Sequence, residues 1–293
     1  MSVSANHLEG WRLKALIVSI VAAAAGYLAF SLWGGWHEVL AAFGRIGVIG
    51  TVIALSLSLV NYGLRFVRWQ MYLHQLGHPV NWRPSLRIYL SGFALTTTPG
   101  KAGEAFRGVL LKQRNVPFPA TFAAFISERL SDLVAVVLLA LLGLAQYPQA
   151  QGIVLAGIVG ILAVLICFSS KTLLERFHAW ASLRKGKFSA LITHGTRMLI
   201  DARRCHSPGL LFVATLISLV AWGAEALAFY WMLGWLGADV SLTFAFFVYA
   251  LSMLAGALSF LPGGLGSAEA VMVSLLVLKG MATPVAVAAT VFI

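Results

Sequence analysis

Long uncharged apolar runs alternate with short basic segments along this chain. The runs at 15–36, 46–64, 152–170 and 240–268 each come near or exceed the roughly 20 residues a bilayer-crossing helix needs. Two more, at 121–145 and 210–235, reach that length only by including charged residues. The pattern predicts an all-α, polytopic helical membrane protein. A first helix at 13–35 leads outward and a second at 46–64 returns. A basic, aromatic-rich segment with Arg65, Arg68, Trp69, Trp82, Arg83 and Arg87 then lies at the cytoplasmic interface, since Trp and Arg suit headgroup depth. The apolar stretch 89–98 is too short to span before Pro99 and Gly100, which predicts a re-entrant segment that continues through Arg107. Helices at 121–145, 152–170 and 210–235 follow. The run 240–261 leads into Pro262, Gly263, Gly264 and Gly266, after which a helix restarts at 267–278.

The two breaks share a pattern. PGKAGEA (99–105) and PGGLGSAEA (262–270) each carry a Pro-Gly pair and then a Glu-Ala. One break is entered from the cytoplasm and the other from outside, so the halves are predicted to be inverted copies, and paired broken segments point to a transporter site. Simple Pro-Gly kinks in ordinary membrane helices explain either motif better when it is taken alone, and only the matched pair puts the two readings level. The organisation expected is a single transmembrane domain, 1–293, with halves at 46–170 and 209–293 joined by a basic cytoplasmic loop at 171–208. The last segment, 284–293, is too short to span, so a truncated C-terminus is expected.

Composition agrees with lipid solvation: 60% of residues are hydrophobic, 11% are charged and the mean hydropathy is +0.88. A formal charge of +11 would suggest nucleic acid in a soluble protein. Here the basic residues sit between spans and follow the positive-inside rule, so no nucleic-acid partner is expected. With a cytoplasmic N-terminus, all Lys and Arg but Arg45 and Lys279 fall on one side, and the location expected is a bacterial inner membrane. The 171–208 loop carries eight of them, a surface for anionic headgroups. Cys167 and Cys205 show no metal or redox spacing, and neither is assigned a role.

Several groups could carry chemistry. A helix that begins inside the membrane leaves its first N–H groups without acceptors and places partial positive charge there, which suits an anion. Thr98 and Ser267 are candidate caps, and Gly100, Gly103, Gly263, Gly264 and Gly266 allow a headgroup to approach the backbone. Lys101 and Arg107 add full charge, so a lipid phosphate is the expected ligand. Glu104 and Glu269 are read either as capping carboxylates or as groups that bind a cationic headgroup or exchange protons. Glu128, Arg129 and Asp132 form an intramembrane polar cluster. Glu128 and Asp132 stand four apart and repel if both are ionised, so either a base such as Arg107 joins them or one is protonated. The network serves function or merely ties helix ends. Glu225, mid-span, is the costliest single charge and is functional by default, unless it is neutral and hydrogen-bonded. His74 and His78 lack the HExxH pattern, no phosphate-binding GxxxxGK[ST] occurs, and Gly44, Gly47 and Gly50 read as helix-packing glycines. No catalytic motif, metal or cofactor is predicted.

PGKAGEAFRG, ISERLSD and FLPGGLGSAEA resemble motifs of the lysylphosphatidylglycerol synthase transmembrane region, the flippase-like membrane family, over most of the chain. The resemblance implies a domain that moves lipids between leaflets, aminoacylated phosphatidylglycerol in the best-known members and hopanoid or polyprenyl-linked lipids in others. The aminoacylating activity resides in a soluble domain not found in this sequence and is not implied. The expectation is a lipid translocase with its headgroup site between the two breaks. The alternatives are a membrane-embedded enzyme or accessory subunit of lipid glycosylation or aminoacylation, and a non-transporting scaffold for lipid-synthesis enzymes.

Overall fold

The computed structural model describes residues 35–93, 107–144, 171–183, 202–259 and 266–293, with scattered positions at 26 and between 151 and 200. The spans expected at 13–35 and 152–170 fall largely outside the described residues. So do Pro99, Gly100, Lys101, Gly103, Glu104, Pro262, Gly263, Gly264 and Cys167. No strand occurs among the described residues.

Among the described residues nine α-helices follow in order: α1 (Trp36–Gln75), α2 (Trp82–Phe93), α3 (Arg107–Lys112), α4 (Phe118–Leu144), α5 (Lys171–Ser182), α6 (Pro208–Trp235), α7 (Leu242–Leu258), α8 (Ser267–Leu278) and α9 (Thr283–Phe292). Helix α1 departs from expectation. It does not end at residue 64 but runs on to Gln75, because nothing between Leu64 and Gln75 breaks a helix and Gly77 is the first residue free to turn it. Arg65, Arg68 and Trp69 are therefore helical and buried inside the protein rather than spread along an interface. Only Trp82, Arg83 and Arg87 of that predicted segment are exposed. The glycine group also divides. Gly47 is a kink with φ 64°, a conformation that glycine adopts without strain. Gly50 is the packing glycine, since a Cβ there would lie 2.9 Å from the Trp235 ring.

Helices α1 and α6 are long and apolar enough to cross a membrane. Their outer flanks carry Val48, Ile49, Val52, Leu55 and Leu59 on α1 and Phe212, Leu216 and Val220 on α6, all exposed. An apolar surface of this extent needs hydrocarbon around it. The two helices pack antiparallel: Gly50 meets Trp235, Ser58 meets Glu225, Asn61 meets Ala221 and Arg68 meets Ser218. Asn61 Nδ2 donates to the Ala221 carbonyl at 2.9 Å, joining positions 160 residues apart.

The turns repeat as well. Helix α1 closes with Gly77 at φ 81°, its N–H on the His74 carbonyl at 3.0 Å and the His78 N–H on Leu73 at 2.9 Å. Helix α6 closes with Gly237 at φ 83°, its N–H on Gly234 at 3.0 Å and the Ala238 N–H on Leu233 at 2.9 Å. Both are Schellman closures, in which a left-handed residue returns two amides to the last free carbonyls. Past the breaks, Asn115 after α3 and Gly280 after α8 end their helices in the same way, with the Val116 N–H on Leu111 and the Met281 N–H on Leu276. Ring packing follows the same register: Trp69 and Tyr89 lie 6.0 Å apart at 44°, Phe229 and Tyr249 6.1 Å apart at 46°.

A cavity and an ion network on either side of the helix crossing

Helices α1 and α3 bring basic side chains to the acidic stretch of α4, which adds Arg129 of its own. Arg107 Nη1 lies 3.0 Å from Glu128 Oε2. Arg68 Nη1 lies 2.6 Å from Asp132 Oδ1, and its Nη2 3.8 Å from Glu128 Oε1. Arg65 reaches Asp132 Oδ2 at 3.5 Å, and Arg129 reaches the same atom at 3.1 Å from one helical turn away. Trp222 Nε1 donates to Asp132 Oδ1 at 3.0 Å, and Ser218 bonds Arg68. Tyr72 spans to the Ser127 carbonyl and to Ser131 Oγ. Arg68, Arg107 and Glu128 are almost fully buried. Charges in such a place persist only if each is matched by an opposite charge and hydrogen bonds, which the sequence left open between a joining base and a protonated acid.

Aromatic rings complete the lining. The Arg107 guanidinium carbon sits 4.4 Å from the Tyr89 ring centre, 5.0 Å from Phe93 and 5.2 Å from Trp69. Arg65 sits 5.2 Å from Trp222 and 5.5 Å from Phe93. Such contacts offset part of the cost of burying a guanidinium.

On the other side of Arg65 is a cavity of about 290 Å³, lined by polar Ser58, Asn61, Glu225 and Glu269 and by apolar Met253 and Met272, among others. Arg65, Trp222 and Tyr249 also face it. Glu225, only 9% exposed, accepts a hydrogen bond from Ser58 Oγ at 3.1 Å. Glu269 Oε2 accepts the Gly266 N–H at 2.8 Å. The cap of α8 is thus Gly266 at φ 90°, not Ser267, which is the first helical residue. The carboxylate reaching back from the third helical position supplies the acceptor. Capping and lining a cavity are not exclusive, and Glu269 does both.

Of the residues expected to act, the structure brings Arg107, Glu128, Arg129 and Asp132 into one network and Glu225 and Glu269 into one cavity. Arg107 is turned to Glu128 and to three rings. Ser58, Asn61, Arg65, Arg68, Ser218, Trp222 and Tyr249 were missed. A signal for them existed: LGHPVN (76–81) and LGADVS (236–241) repeat the same turn, and laying one on the other sets Arg65 against Glu225 and Ser58 against Ser218.

The basic loop holds α5, with Arg176 and Trp180 exposed, and a 3₁₀ turn, Arg203–His206. Cys205 in that turn is buried beside Ser127, and burial pushes its thiol up to about 12. A thiol near its free value of roughly 8.5 reacts as thiolate. With Cys167→Ser, maleimide labelling of Cys205 at pH 8 is therefore expected only after denaturant opens the fold. Complete labelling of the folded protein would contradict this packing.

The family model of the lysylphosphatidylglycerol synthase TM region matches residues 14–293. A UPF0104 membrane protein of Methanothermobacter thermautotrophicus is 27% identical over 278 residues, covering 87% of this chain and 80% of the relative. One from Pyrococcus horikoshii is 23% identical, covering 88% and 85%. The glycosyltransferase AglD of Haloferax volcanii is 31% identical over 117 residues, 37% of this chain but 18% of that protein. With nearly its whole length matched and its helices clothed in apolar side chains, the chain is a membrane protein that belongs to the lysylphosphatidylglycerol synthase transmembrane-region family.

Proposed function

We propose that the protein is a lipid translocase, which takes the headgroup of a phospholipid or of a polyprenyl- or hopanoid-type lipid into the cavity beside Glu225 and passes it between leaflets. The observation that carries this reading is that cavity: polar and charged groups gathered inside a helical bundle whose outer flanks are apolar. Ionisable groups held at such depth are costly and serve a transported ligand or ion by default. Antiparallel α1 and α6, with matched turns after each, support halves of inverted topology, the arrangement in which a binding site lies at the repeat interface. The Pro-Gly segments would be re-entrant, their helix beginnings offering N–H groups to a phosphate while Glu225 and Glu269 balance charge or couple protons. In this reading the chain itself makes and breaks no bond. The distribution of basic residues favours a cytoplasmic N-terminus and anionic lipid against the 171–208 loop. The bacterial inner membrane remains the proposed location, although the relatives named above are archaeal.

The test is redistribution of dithionite-quenchable lipid analogues in liposomes holding the purified protein, with phosphate headgroups bearing or lacking an amine and a polyprenyl phosphate. Acceleration of at least one analogue over protein-free vesicles is expected. Rates no faster than in protein-free vesicles for every analogue would overturn the proposal. The partial similarity to a glycosyltransferase favours a second reading, an accessory subunit or enzyme of lipid glycosylation. A requirement for a nucleotide-sugar donor would select it.

A further inference from the structure

The matched turns place Tyr89 opposite Tyr249, Gly92 opposite Ser252 and Phe93 opposite Met253. Beyond the breaks, where Leu111 matches Leu276, they place Arg107 opposite Met272 and Glu128 opposite Ile293. Tyr249, Met253, Met272 and Ile293 line the open cavity. Their counterparts Tyr89, Phe93 and Glu128 instead close on the Arg107 side chain, which is 1% exposed. The substitutions that distinguish the halves act together. Arginine stands where the other half has methionine, and glycine where it has serine. A Cβ on Gly92 would lie 2.8 Å from Arg107 Cγ and nearer still to Nε, so the arginine fits only because Gly92 has none.

We propose that the first half contains a second pocket for the lipid headgroup, concealed here by Arg107 acting as a tethered plug. When this pocket opens, Arg107 withdraws from Glu128, and the cavity beside Glu225 closes in the same movement. The proposal rests on the translocase reading. In an inverted repeat the two halves exchange conformations about a shared site, so an open pocket in one half implies a closed counterpart in the other. A buried guanidinium suits the closed state because carboxylate and rings hold it firmly there, while its long side chain can swing clear as the halves exchange conformations.

The experiment uses two reporter cysteines at matched positions, Ser58→Cys in the open cavity and Ser218→Cys in the concealed one, each with Cys167→Ser and Cys205→Ala. The readout is the rate of modification by a charged methanethiosulfonate in liposomes. With Arg107 present, the reporter at position 58 is expected to react and that at 218 to be protected. Arg107→Met copies the other half and is expected to speed position 218 by about tenfold or more and to slow position 58, as a population shift between two states requires. Gly92→Ser displaces the plug while keeping its charge and should do the same, which covers the case in which Arg107→Met fails to fold. Unchanged protection at 218 in both variants, or faster reaction at both positions together, would overturn the proposal. These rates need no transport. Reporters that exchange in a protein that moves no lipid would sink the translocase reading alone, whereas lipid movement with unmoved reporters would sink the plug alone.

Discussion

Asp132→Asn is expected to lower the stability of the folded protein by about 3–5 kcal/mol, the range for removing one partner of a buried ion pair. Asp132 receives Arg68 at 2.6 Å, Arg129 at 3.1 Å, Arg65 at 3.5 Å and the Trp222 N–H at 3.0 Å. An asparagine oxygen still accepts from Trp222, but its NH₂ group faces donors, and the arginines lose their closest negative charge. Thermal unfolding in detergent is the measurement, with a large fall in midpoint expected. The double variant Arg68→Met, Asp132→Asn should lose less than the two single changes added together, because the interaction each destroys is the same one. A midpoint unchanged in Asp132→Asn would mean that the network holds nothing together.

Glu225→Gln should act in the opposite manner, with little effect on folding and a large effect on lipid movement. The amide keeps the shape of the carboxylate, and its oxygen still accepts from Ser58. Only the charge in the cavity is lost. If headgroup binding or proton coupling depends on that charge, the translocation rate falls by about tenfold or more, equivalent to at least 1.4 kcal/mol in the transition state. Glu269→Gln should combine a smaller version of this loss with a mild loss of stability, since a neutral acceptor caps the Gly266 N–H less strongly than a carboxylate. Full translocation by the double variant Glu225→Gln, Glu269→Gln would remove both acids from the mechanism.

These two expectations separate residues that hold the bundle together from residues that face its empty space, and the sequence did not make that separation. It marked both groups as buried charge in apolar surroundings, with the same rationale for each. Asp132 and Glu225 look alike as acids in apolar helices. They differ because three arginines, two from α1 and one from α4 itself, are aimed at the first, whereas the second meets one serine and a cavity.

Helix content, the membrane environment and several boundaries were legible in the chain alone. The restart after Gly266 was placed at 267–278, where α8 lies, and the spans expected at 121–145 and 210–235 correspond to α4 and α6. These features depend on hydropathy along one continuous run of chain or on a glycine at a closure, and both are local in sequence. The pairing of Arg129 with Asp132 was legible for the same reason, being a contact within one helical turn. The joining of Arg65 and Arg68 to Asp132 and of Ser58 to Glu225 was not. These contacts cross between helices far apart in sequence, so they exist only once α1 has packed against α4 and has crossed α6 at Asn61 and Ala221. Local chemistry decides where each helix starts and stops. Which buried charges are matched, and which are left facing a cavity, is decided by the antiparallel packing, because only that packing determines which faces meet.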